Sequence, residues 1–465
     1  MNRPDYNEAR KRTKEMVQIR NFTLEDKYKK IGQGKKFFLK TYGCQMNEHD
    51  SENIKGMLNE MSFTETLDME DADLILLNTC SIRENAHNKA FGLLGRIKHL
   101  KETKPSIVAG ICGCMAQEEG VIKEILAKYR FLNFVFGTHN LDELPTLVEK
   151  GFEGSKLNID VKSIEGDIIE DIPFTRDSKY KAYINIIYGC DKFCTYCIVP
   201  YTRGKQRSRL KEDIIKEVED LVKDGYKEVT LLGQNVNAYG KDFKDAKYNM
   251  ANLLEDVSKT KIERIKFVTS HPWDFTDDMI KVIKENENIL PYIHLPVQSG
   301  SNRILKLMGR KYTKESYLDL VKKLKENIPN ICLTTDIIVG FPNETDEDFE
   351  KTCEFVKKVN FSKIHVFPYS RRKGTKADLM NNQISEDIKK TRVKRMLEIS
   401  HELEISYMKK YLNKDVEVLV EKYENGYIMG HTSNYIEVKK IGKCSDVTNI
   451  VNAKLKEIDY PIMIE

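Results

Sequence analysis

The chain has 465 residues, a length that predicts two to four domains. Apolar residues make up 40% and charged residues 32%, which is ordinary for a globular protein with several cores. Because 76 Lys and Arg nearly balance 72 Asp and Glu, the net charge of +4 excludes a strong global field for nucleic acid, and RNA contact must come from local basic patches.

The start of the chain carries no sign of a secretory signal. Residues 1–10 are polar and charged and lack the apolar core of a signal peptide. No apolar run in the sequence approaches the roughly 18 residues that cross a bilayer. We therefore expect a cytoplasmic protein without a membrane partner, in a compartment where disulfides are rare. The ten cysteines then predict metal binding or catalysis.

Residues 1–34 are predicted to be a partly helical or flexible extension, and residues 35–150 a parallel α/β domain. In the second interval strands alternate with helices, as in a parallel sheet with crossover helices. The predicted strands cover 36–41, 73–78 and 106–111. The predicted helices begin at Asn47, which serves as an N-cap, at Arg83 and near Gln117.

The rest of the chain is predicted to hold two further domains. Residues 151–178 lose periodicity and are predicted to be a linker. From residue 179 to 405, six strand–helix units are too few for a closed eight-stranded barrel and predict an open (β/α)6 barrel. Their strands are predicted at 182–187, 228–232, 264–268, 291–295, 333–338 and 363–367. Residues 406–465 contain short alternating strands, which predict a small antiparallel β barrel.

Three cysteines in one tight loop carry the strongest chemical signal in the sequence. Cys190, Cys194 and Cys197 follow the first strand of the six-unit region, where the active sites of barrels form. Three thiolates can hold three irons of a 4Fe–4S cluster, and with no fourth cysteine nearby one iron stays open for a ligand. A structural zinc site would need four ligands, and a redox pair of Cys194 and Cys197 would leave Cys190 without a role.

Cysteines also stand directly after three predicted strands of the N-terminal region. Cys44 follows the first strand, Cys80 the second, and Cys112 and Cys114 the third. Because the carboxyl ends of parallel strands share one edge, three thiols are expected to meet at a second cluster. On extended backbone Cys112 and Cys114 point in opposite directions, so only one of them is expected to be a ligand. Ordinary burial of cysteine in a core is the competing explanation.

Four motifs, in family order, resemble the methylthiotransferase family of radical S-adenosylmethionine (AdoMet) enzymes. The N-terminal cysteines stand in YGCQMN, NTCSIRE and GCMAQ, and the triplet stands in GCDKFCTYCIVPYTRG. The tail resembles a TRAM domain, a β barrel that binds RNA. The resemblance covers nearly the whole chain after residue 34. It makes Cys114, rather than Cys112, the third ligand of the second, auxiliary cluster.

The resemblance implies two 4Fe–4S clusters and two uses of AdoMet. One AdoMet methylates a sulfur held at the auxiliary cluster, and the other is split at the triplet cluster into methionine and a 5′-deoxyadenosyl radical. The radical removes hydrogen from C2 of an adenine, to which the methylthio group is transferred. Because the cofactors carry this chemistry, no catalytic side chain beyond the cluster ligands is assigned. A sulfur source and an electron donor such as flavodoxin or ferredoxin are implied as further partners.

The motifs are most similar to the branch of the family that acts on N6-dimethylallyladenosine at position 37, in the anticodon loop of a tRNA. Residues 45–47, 81–84 and 191–193 carry this similarity. No residue in the sequence is derived as a contact for the dimethylallyl group, so the substrate follows from resemblance alone. A branch that acts on threonylcarbamoyladenosine in tRNA, one that acts on a ribosomal-protein aspartate, and a non-catalytic Fe–S RNA-binding protein or redox sensor are the alternatives.

Polar residues in the loops after later strands are predicted to bind AdoMet, because they would share one rim of the barrel as a ligand pocket requires. The predicted set is Gly233, Gln234, Ser270, Gln298, Arg310 and Asp336. Arg310 is expected to pair with the AdoMet carboxylate or to form a surface ion pair. Asp336 is expected either to bind the cofactor or to stabilise a turn near the strand end.

Two basic stretches, 203–209 and 370–376, are predicted to contact RNA phosphates or to form solvated charged surface. Both follow strands of the six-unit region. Residues 406–465 contain nine basic and nine acidic side chains, so the tail is not expected to be a strong electrostatic anchor for RNA. The target base must leave its stack to react, which is easiest in an anticodon loop.

Overall fold

The computed structural model describes residues 2–11, 17–81, 84–244 and 247–465. Two compact units divide the chain. The first contains Met1–Asp177, Ile187–Phe193 and Cys197–Arg209, and the second contains Ser178–Ile186, Cys194–Tyr196 and Leu210–Glu465. Ile82 and Arg83, which the sequence assigns to the second cysteine motif and to a helix start, lie outside the described residues. Among the described helices, none is long and apolar enough to cross a membrane.

A six-stranded parallel sheet, in the order β3-β2-β4-β5-β6-β7, forms the centre of the first unit. The strands of residues 1–177 are β1 Ile19–Asn21, β2 Lys36–Tyr42, β3 Thr64–Glu65, β4 Leu74–Thr79, β5 Val108–Gly113, β6 Phe134–Phe136, β7 Asn158–Asp160 and β8 Ile168–Glu170. The helices are α1 Tyr6–Lys11, α2 Gln45–Glu60, α3 Glu84–Thr103, α4 Glu119–Lys128 and α5 Leu144–Phe152. The parallel α/β fold predicted for this part of the chain is therefore confirmed.

Helices cover both faces of this sheet, because alternate residues of a strand point to opposite sides. Ile75 and Leu77 of β4 join one core cluster with side chains of α3 and α4. Leu74 and Leu76 join the other, with side chains of α2 and α5. Every residue of β4 and β5 is buried, as is typical of a parallel strand between two helical layers.

The prediction that residues 151–178 form an irregular linker is wrong, because this segment contains strands. Within it, β7 extends the central sheet beside β6, and β8 pairs in parallel with β1 of the N-terminal extension. Strands of three residues are too short to show a period of two in the sequence, so their existence depends on partners elsewhere in the chain.

The segment that carries the cysteine triplet is divided between the two units. Its elements are β9 Lys181–Asn185 of the second unit, followed by β10 Ile187–Tyr188, α6 Val199–Thr202 and β11 Arg207–Ser208 of the first. The strand predicted at 182–187 thus ends early, since Ile187 and Tyr188 pair antiparallel with β11.

Two three-stranded parallel sheets, β13-β12-β9 and β14-β15-β16, form the α/β part of the second unit. Its elements after residue 210 are α7 Lys211–Lys223, β12 Glu228–Leu232, α8 Met250–Ser258, β13 Arg264–Phe267, α9 Asp277–Glu285, β14 Tyr292–His294, α10 Asn302–Leu307, α11 Lys314–Asn327, β15 Cys332–Val339, α12 Asp346–Val359, β16 Lys363–Pro368 and α13 Glu386–Lys409. Ser or Thr side chains cap many of the helices, as at Thr313 before α11 and Thr345 before α12. All six predicted strands are present.

The last part of the second unit is a six-stranded sheet in the order β20-β17-β18-β19-β22-β21. Its strands are β17 Asp415–Glu424, β18 Tyr427–Thr432, β19 Glu437–Ile441, β20 Ile450–Lys454, β21 Glu457–Asp459 and β22 Ile462–Ile464. The pairing is antiparallel, as predicted, except between β19 and β22, which run parallel. Val418, Val438 and Leu455 share a core cluster with Tyr407 and Met408 of α13.

Candidate functional site

Three cysteines meet at the carboxyl edge of the sheet in the first unit. The neighbouring strands β2, β4 and β5 end in register, with Thr41 beside Asn78 and Thr79 beside Gly113. Cys44, Cys80 and Cys114 follow directly. The Cys80 side chain hydrogen-bonds to Cys44, and Cys114 lies close enough to Cys44 for their charges to interact. Cys80 and Cys114 are buried. The structure therefore brings this predicted set together.

Cys44 is a thiol of this group whose pKa is lowered. The hydrogen bond with Cys80 is the main cause that lowers the pKa of Cys44 to about 6, and the nearby positive charge of Arg203 acts in the same direction against burial. Burial raises the pKa of the Cys114 thiol, and Arg203 opposes that effect. Because the thiolate is the form that binds metal, Cys44 is prepared as a ligand near neutral pH.

A buried amide network joins the loops that carry Cys44 and Cys80. Asn78 Nδ2 donates a hydrogen bond to the backbone oxygen of Asn47 at 2.8 Å, and Asn47 Nδ2 donates one to Asn78 Oδ1 at 3.1 Å. Asn47 Oδ1 accepts from the Cys44 backbone N–H at 3.3 Å. The N-cap of α2 is therefore Cys44, and the prediction that Asn47 caps the helix is wrong: it is the third helical residue and bonds backwards to the cap. Sequence reasoning missed Asn78.

Gly113 is required by the close approach of two loops. Its φ is +92°, and a Cβ there would lie 2.4 Å from Asn78 Oδ1 and 2.5 Å from the Thr79 oxygen. Only glycine meets both conditions without displacing the amide network. One residue before Gly113 in the strand, Cys112 packs into the hydrophobic core below the edge. This agrees with the expectation that Cys112 and Cys114 face opposite ways.

A buried arginine, missed as a site residue by sequence reasoning, contacts this group. Arg203 Nε donates to Cys114 Sγ at 3.1 Å, and Arg203 Nη2 donates to Asp50 Oδ2 at 2.6 Å. Arg203 also lines a cavity of about 60 Å³ with Asp50, Asn53 and His139. The only sequence signal was a local one, the position of Arg203 in the motif that follows the triplet.

The prediction that residues 203–209 contact RNA phosphate is wrong for the three arginines. All three are buried. Arg207 donates to the Gly166 oxygen at 2.7 Å, and Arg209 forms a two-point ion pair with Glu170 at 2.7 and 2.5 Å. Their partners lie elsewhere in the chain, so the three arginines are held by contacts within the fold and are not presented to solvent.

The cysteine triplet lies on both units, Cys190 and Cys197 on the first and Cys194 on the second. All three side chains are half-buried. Gly189 has a φ of +72°, and a Cβ there would lie 2.0 Å from the Lys205 oxygen. The next residue, Cys190, donates its backbone N–H to the Gly204 oxygen at 3.1 Å, so the loop start is fixed within the first unit. The triplet's ligand role stays a prediction from spacing.

Arg310 lies beside Cys194 within the second unit. Its Nη1 is 3.7 Å from Cys194 Sγ, and its Nη2 donates to the Pro296 oxygen at 2.9 Å. The side chain is 8% exposed, so it is not the surface ion pair that the sequence allowed. A buried cation at this point would attract an anionic ligand group nearby.

The other predicted AdoMet residues follow the carboxyl ends of parallel strands of the second unit, except Asp336, which lies within β15. Gly233 and Gln234 follow β12, and Ser270 follows β13. Gln298 follows β14 and donates its backbone N–H to the Asp336 oxygen of β15 at 2.9 Å. Asp336 is contacted by His294 Nε2 at 3.4 Å. Burial opposes its ionisation, but His294, His365 and Arg310 together hold the pKa of Asp336 below its usual range.

Buried polar atoms without hydrogen-bond partners make this rim a candidate ligand site. Among the described residues, Ser270 Oγ, Gln298 Oε1 and Arg310 Nε are buried and form no hydrogen bond. Gln298 is also held at a φ of +75°, which an L-residue rarely adopts. Buried polar groups are normally satisfied, so these donors and acceptors fit a polar ligand such as AdoMet.

A single-ion site is not formed by either cysteine group. Within the described ranges, no three His, Cys, Asp or Glu side chains converge to hold one metal ion. A cluster distributes its thiolates over different irons, so its ligands need not converge on one point.

Comparison with known proteins places both cysteine groups within family matches. The radical SAM superfamily model matches residues 184–356, and the model of an uncharacterized protein family, UPF0004, matches residues 36–137. A curated tRNA-2-methylthio-N(6)-dimethylallyladenosine synthase of Staphylococcus haemolyticus is 51% identical over 459 residues, which cover 98% of this chain and 89% of the relative. The chain belongs to this synthase family. A Geobacillus thermodenitrificans member is 50% identical, covering 98% of this chain and 88% of its own.

Solved structures share the fold of this family member at low identity. A radical S-adenosylmethionine methyltransferase from Kitasatospora setae, with cobalamin and a [4Fe-4S] cluster bound, has a TM-score of 0.53 at 13% identity and covers 74% of this chain and 77% of its own. A cobalamin-dependent S-adenosylmethionine radical enzyme has a TM-score of 0.50 at 13% identity, over 80% of this chain and 56% of its own. These similarities show the α/β radical AdoMet fold alone.

Proposed function

We propose that this protein transfers a methylthio group to C2 of N6-dimethylallyladenosine at position 37 of tRNA, forming 2-methylthio-N6-dimethylallyladenosine. The observation that carries this function is 51% identity to a synthase of that name across 98% of the chain. The protein is a radical AdoMet enzyme, with tRNA and AdoMet as partners. The same identity favours this substrate over threonylcarbamoyladenosine, and an enzyme over a non-catalytic Fe–S RNA-binding protein.

Its cofactors are two 4Fe–4S clusters and AdoMet. When bound, they supply the carbon radical, the sulfur and the methyl group of the reaction. We assign one cluster to Cys44, Cys80 and Cys114, and the other to Cys190, Cys194 and Cys197. The hydrogen bond between Cys44 and Cys80, and the ionisable state of Cys44, support the first assignment.

The polar rim of the second unit is our candidate AdoMet site. Ser270, Gln298 and Arg310 offer buried atoms that lack partners among the described residues. Arg310 beside Cys194 would orient a carboxylate toward that cysteine. Asp336, whose pKa is held below its usual range against burial, chiefly by His294, would accept a hydrogen bond from a hydroxyl or amine of the cofactor. Gly233 and Gln234 complete the proposed set at the end of β12.

The finer fold assignment is also a proposal. The two three-stranded parallel sheets would be halves of one open (β/α)6 barrel, and the C-terminal sheet would be a TRAM barrel. On this basis we retain the domain boundaries 179–405 and 406–465, whereas the first domain, predicted over 35–150, continues past residue 150 to include β7. The isolated parallel bridge between Ile265 and Ile289 supports continuity between the two sheets.

Exposed basic and aromatic side chains form the candidate tRNA surface on the second unit. After β16, Arg371, Lys373 and Lys376 are exposed, although Arg371 is paired with Asp378. Trp273 after β13 is 49% exposed, and Phe367 at the end of β16 is 43% exposed. Exposed rings near basic side chains suit the bases and phosphates of a single-stranded loop. The anticodon loop is the proposed contact. An electron donor such as flavodoxin or ferredoxin and a sulfur source are proposed further partners.

The function is tested by reconstituting the clusters anaerobically and supplying AdoMet, dithionite, sulfide and tRNA that contains N6-dimethylallyladenosine. We expect nucleoside mass analysis to show 2-methylthio-N6-dimethylallyladenosine. Matched tRNA with threonylcarbamoyladenosine is expected to stay unmodified. Product only on the second tRNA would replace the proposed substrate, and product on neither would overturn the proposed function.

A cysteine variant separates catalysis from RNA binding in the same assay. Cys194→Ala is expected to abolish AdoMet cleavage and leave tRNA affinity unchanged. Cys353→Ala, which changes a buried cysteine of α12 outside both groups, serves as the control and is expected to keep both properties. AdoMet cleavage at the normal rate by Cys194→Ala would contradict the ligand assignment.

A further inference from the structure

We propose that Arg203 positions Cys114 and raises the reduction potential of the auxiliary cluster. This inference depends on the proposed function, which assigns Cys114 to that cluster. Arg203 is not a ligand and does not contact the substrate base in this proposal. It acts through the sulfur of Cys114, by a hydrogen bond and by a fixed positive charge.

The guanidinium group of Arg203 is held at two points. Nη2 donates to Asp50 Oδ2 at 2.6 Å, and Nε donates to Cys114 Sγ at 3.1 Å. Because the guanidinium is planar and rigid, anchoring one branch on Asp50 determines where Nε points. Arg203 is 5% exposed and Cys114 is also 5% exposed, so solvent does not compete for this hydrogen bond.

The backbone that carries Arg203 is fixed as well. Thr138 Oγ1 donates to the oxygen of Thr202, immediately before Arg203, at 2.5 Å. Gly204, immediately after it, accepts from the Cys190 backbone N–H at 3.1 Å and has a φ of +75°. A Cβ at Gly204 would lie 2.6 Å from Glu165 Oε2, so this turn has little freedom to move.

The direction of the effect follows from electrostatics. One-electron reduction adds negative charge to the cluster and its thiolates. A buried positive charge and an N–H donor at a ligand sulfur stabilise that charge, and hydrogen bonds to sulfur are among the features that set cluster potentials. The cluster should therefore be easier to reduce with Arg203 than without it. The same contact fixes the Cys114 side chain relative to the sheet edge.

Arg209 provides a matched control in the same segment. It is buried to a similar extent, at 7% exposure, but its guanidinium forms a two-point ion pair with Glu170. Replacing either arginine by Gln removes one buried positive charge and breaks one buried pair with a carboxylate. Only the Arg203 change removes the Nε contact with Cys114.

The test uses the full chain with Cys190→Ala, Cys194→Ala and Cys197→Ala, so that only the auxiliary cluster assembles. Arg203→Gln, Arg203→Lys and Arg209→Gln are then compared in this parent. Iron and sulfide per chain are measured first, followed by anaerobic potentiometric titration with dithionite and paramagnetic resonance of the reduced cluster. We expect Arg203→Gln to have a lower midpoint potential and an altered resonance signal, Arg203→Lys to recover part of the shift, and Arg209→Gln to match the parent.

The outcomes distinguish this inference from the proposed function. A parent without iron would contradict the assigned ligands Cys44, Cys80 and Cys114. A parent with iron, and Arg203→Gln with the same iron content, potential and signal, would overturn the role of Arg203 alone. Loss of iron in both Arg203 variants but not in Arg209→Gln supports positioning. Loss in all three overturns a specific role, because any buried arginine of the segment would then be needed for folding.

Discussion

Cys112 and Cys114 stand two residues apart, yet the fold gives them different surroundings. Cys112 lies on β5 and packs in the core with Val108 and Phe134, where burial raises the pKa of its thiol. Cys114 follows the positive-φ residue Gly113 and reaches Arg203 at the sheet edge. A cysteine becomes a candidate ligand here through its place after the strand end, since both cysteines are buried.

This pair gives the first prediction. Cys114→Ala should reduce cluster iron by about half and abolish methylthio transfer, because one of the two proposed ligand sets loses a member. Cys112→Ala should keep full iron and product and lower the free energy of unfolding by roughly 1 kcal/mol, the cost of a small core cavity. Iron analysis and chemical denaturation measure both properties. Equal iron loss in the two variants would show that position at the edge does not select the ligand.

The residue scale is also where sequence reasoning succeeded and failed for clear reasons. The cysteines were predictable because each follows a strand, and strands are local patterns in the sequence. Arg203 and Arg209 were misassigned to RNA, because the sequence shows their charge but not their partners. Asp50 and Glu170 lie 153 and 39 positions away in the chain, and only the fold brings them to the arginines.

Among elements, the parallel strands of the second unit and the loops that follow them determine the candidate AdoMet site. The six strands were predictable from apolar runs between helical segments. The left-handed conformation of Gln298 was not, since it arises where its backbone bonds both to Asp336 and to Ile338 of β15. The parallel pairing of β19 with β22 was also not predicted. The relative direction of two strands depends on the path of the chain between them, which the local sequence pattern does not show.

Asp336 gives a prediction for this element. Asp336→Ala should weaken AdoMet binding by about tenfold, the loss of one charge-assisted hydrogen bond of roughly 1.4 kcal/mol. Equilibrium binding of AdoMet to the reconstituted protein measures the change. Asp278→Ala, an exposed carboxylate on α9, is the matched control and should bind AdoMet normally. Unchanged affinity in Asp336→Ala would remove this residue from the site.

Trp273 gives a second prediction for the strand-end loops. It is the single tryptophan of the chain and is half exposed, with Lys311 Nζ 5.9 Å from its ring centroid. An anticodon stem-loop should quench its fluorescence, and Trp273→Ala should weaken stem-loop binding about tenfold, since stacking on one base contributes about 1–3 kcal/mol. Added salt should weaken both proteins' binding. Tryptophan fluorescence that does not change when the stem-loop binds would exclude Trp273 from the tRNA surface.

At the scale of the whole second unit, the C-terminal sheet packs on the parallel strands through buried polar side chains as well as apolar ones. Arg264 Nη1 donates to the His431 oxygen at 2.9 Å, and Tyr435 donates to Glu228 at 2.5 Å. Lys266 Nζ lies 3.1 Å from the centroid of the Tyr435 ring. The sequence predicted the parallel strands and the C-terminal sheet separately. The interface between them was not predictable, because lysine and arginine side chains normally lie on the protein surface.

Lys266 lies at this interface and makes the stability of the folded protein depend on pH. Burial is the main cause that lowers the pKa of Lys266 from 10.5 to about 7. Between these values the unfolded chain binds more protons than the folded chain, so the contribution of Lys266 to stability rises with pH. Below pH 7 the charged form is buried at its full cost. The groups whose charges act on it are Glu228, Lys181, Cys332 and Glu421.

Lys266→Met tests this by removing the titrating group while keeping an unbranched side chain. From pH 7 to pH 9 the free energy of unfolding of the parent should rise by roughly 2–3 kcal/mol relative to that of Lys266→Met, since one pKa unit corresponds to about 1.36 kcal/mol. Comparing the two proteins cancels the contributions to the free energy of unfolding from thiols and tyrosines that titrate in the same pH range. Urea denaturation at several pH values supplies the measurement. Parallel curves for parent and variant would mean that Lys266 stays charged in the folded protein and that its charge is solvated there.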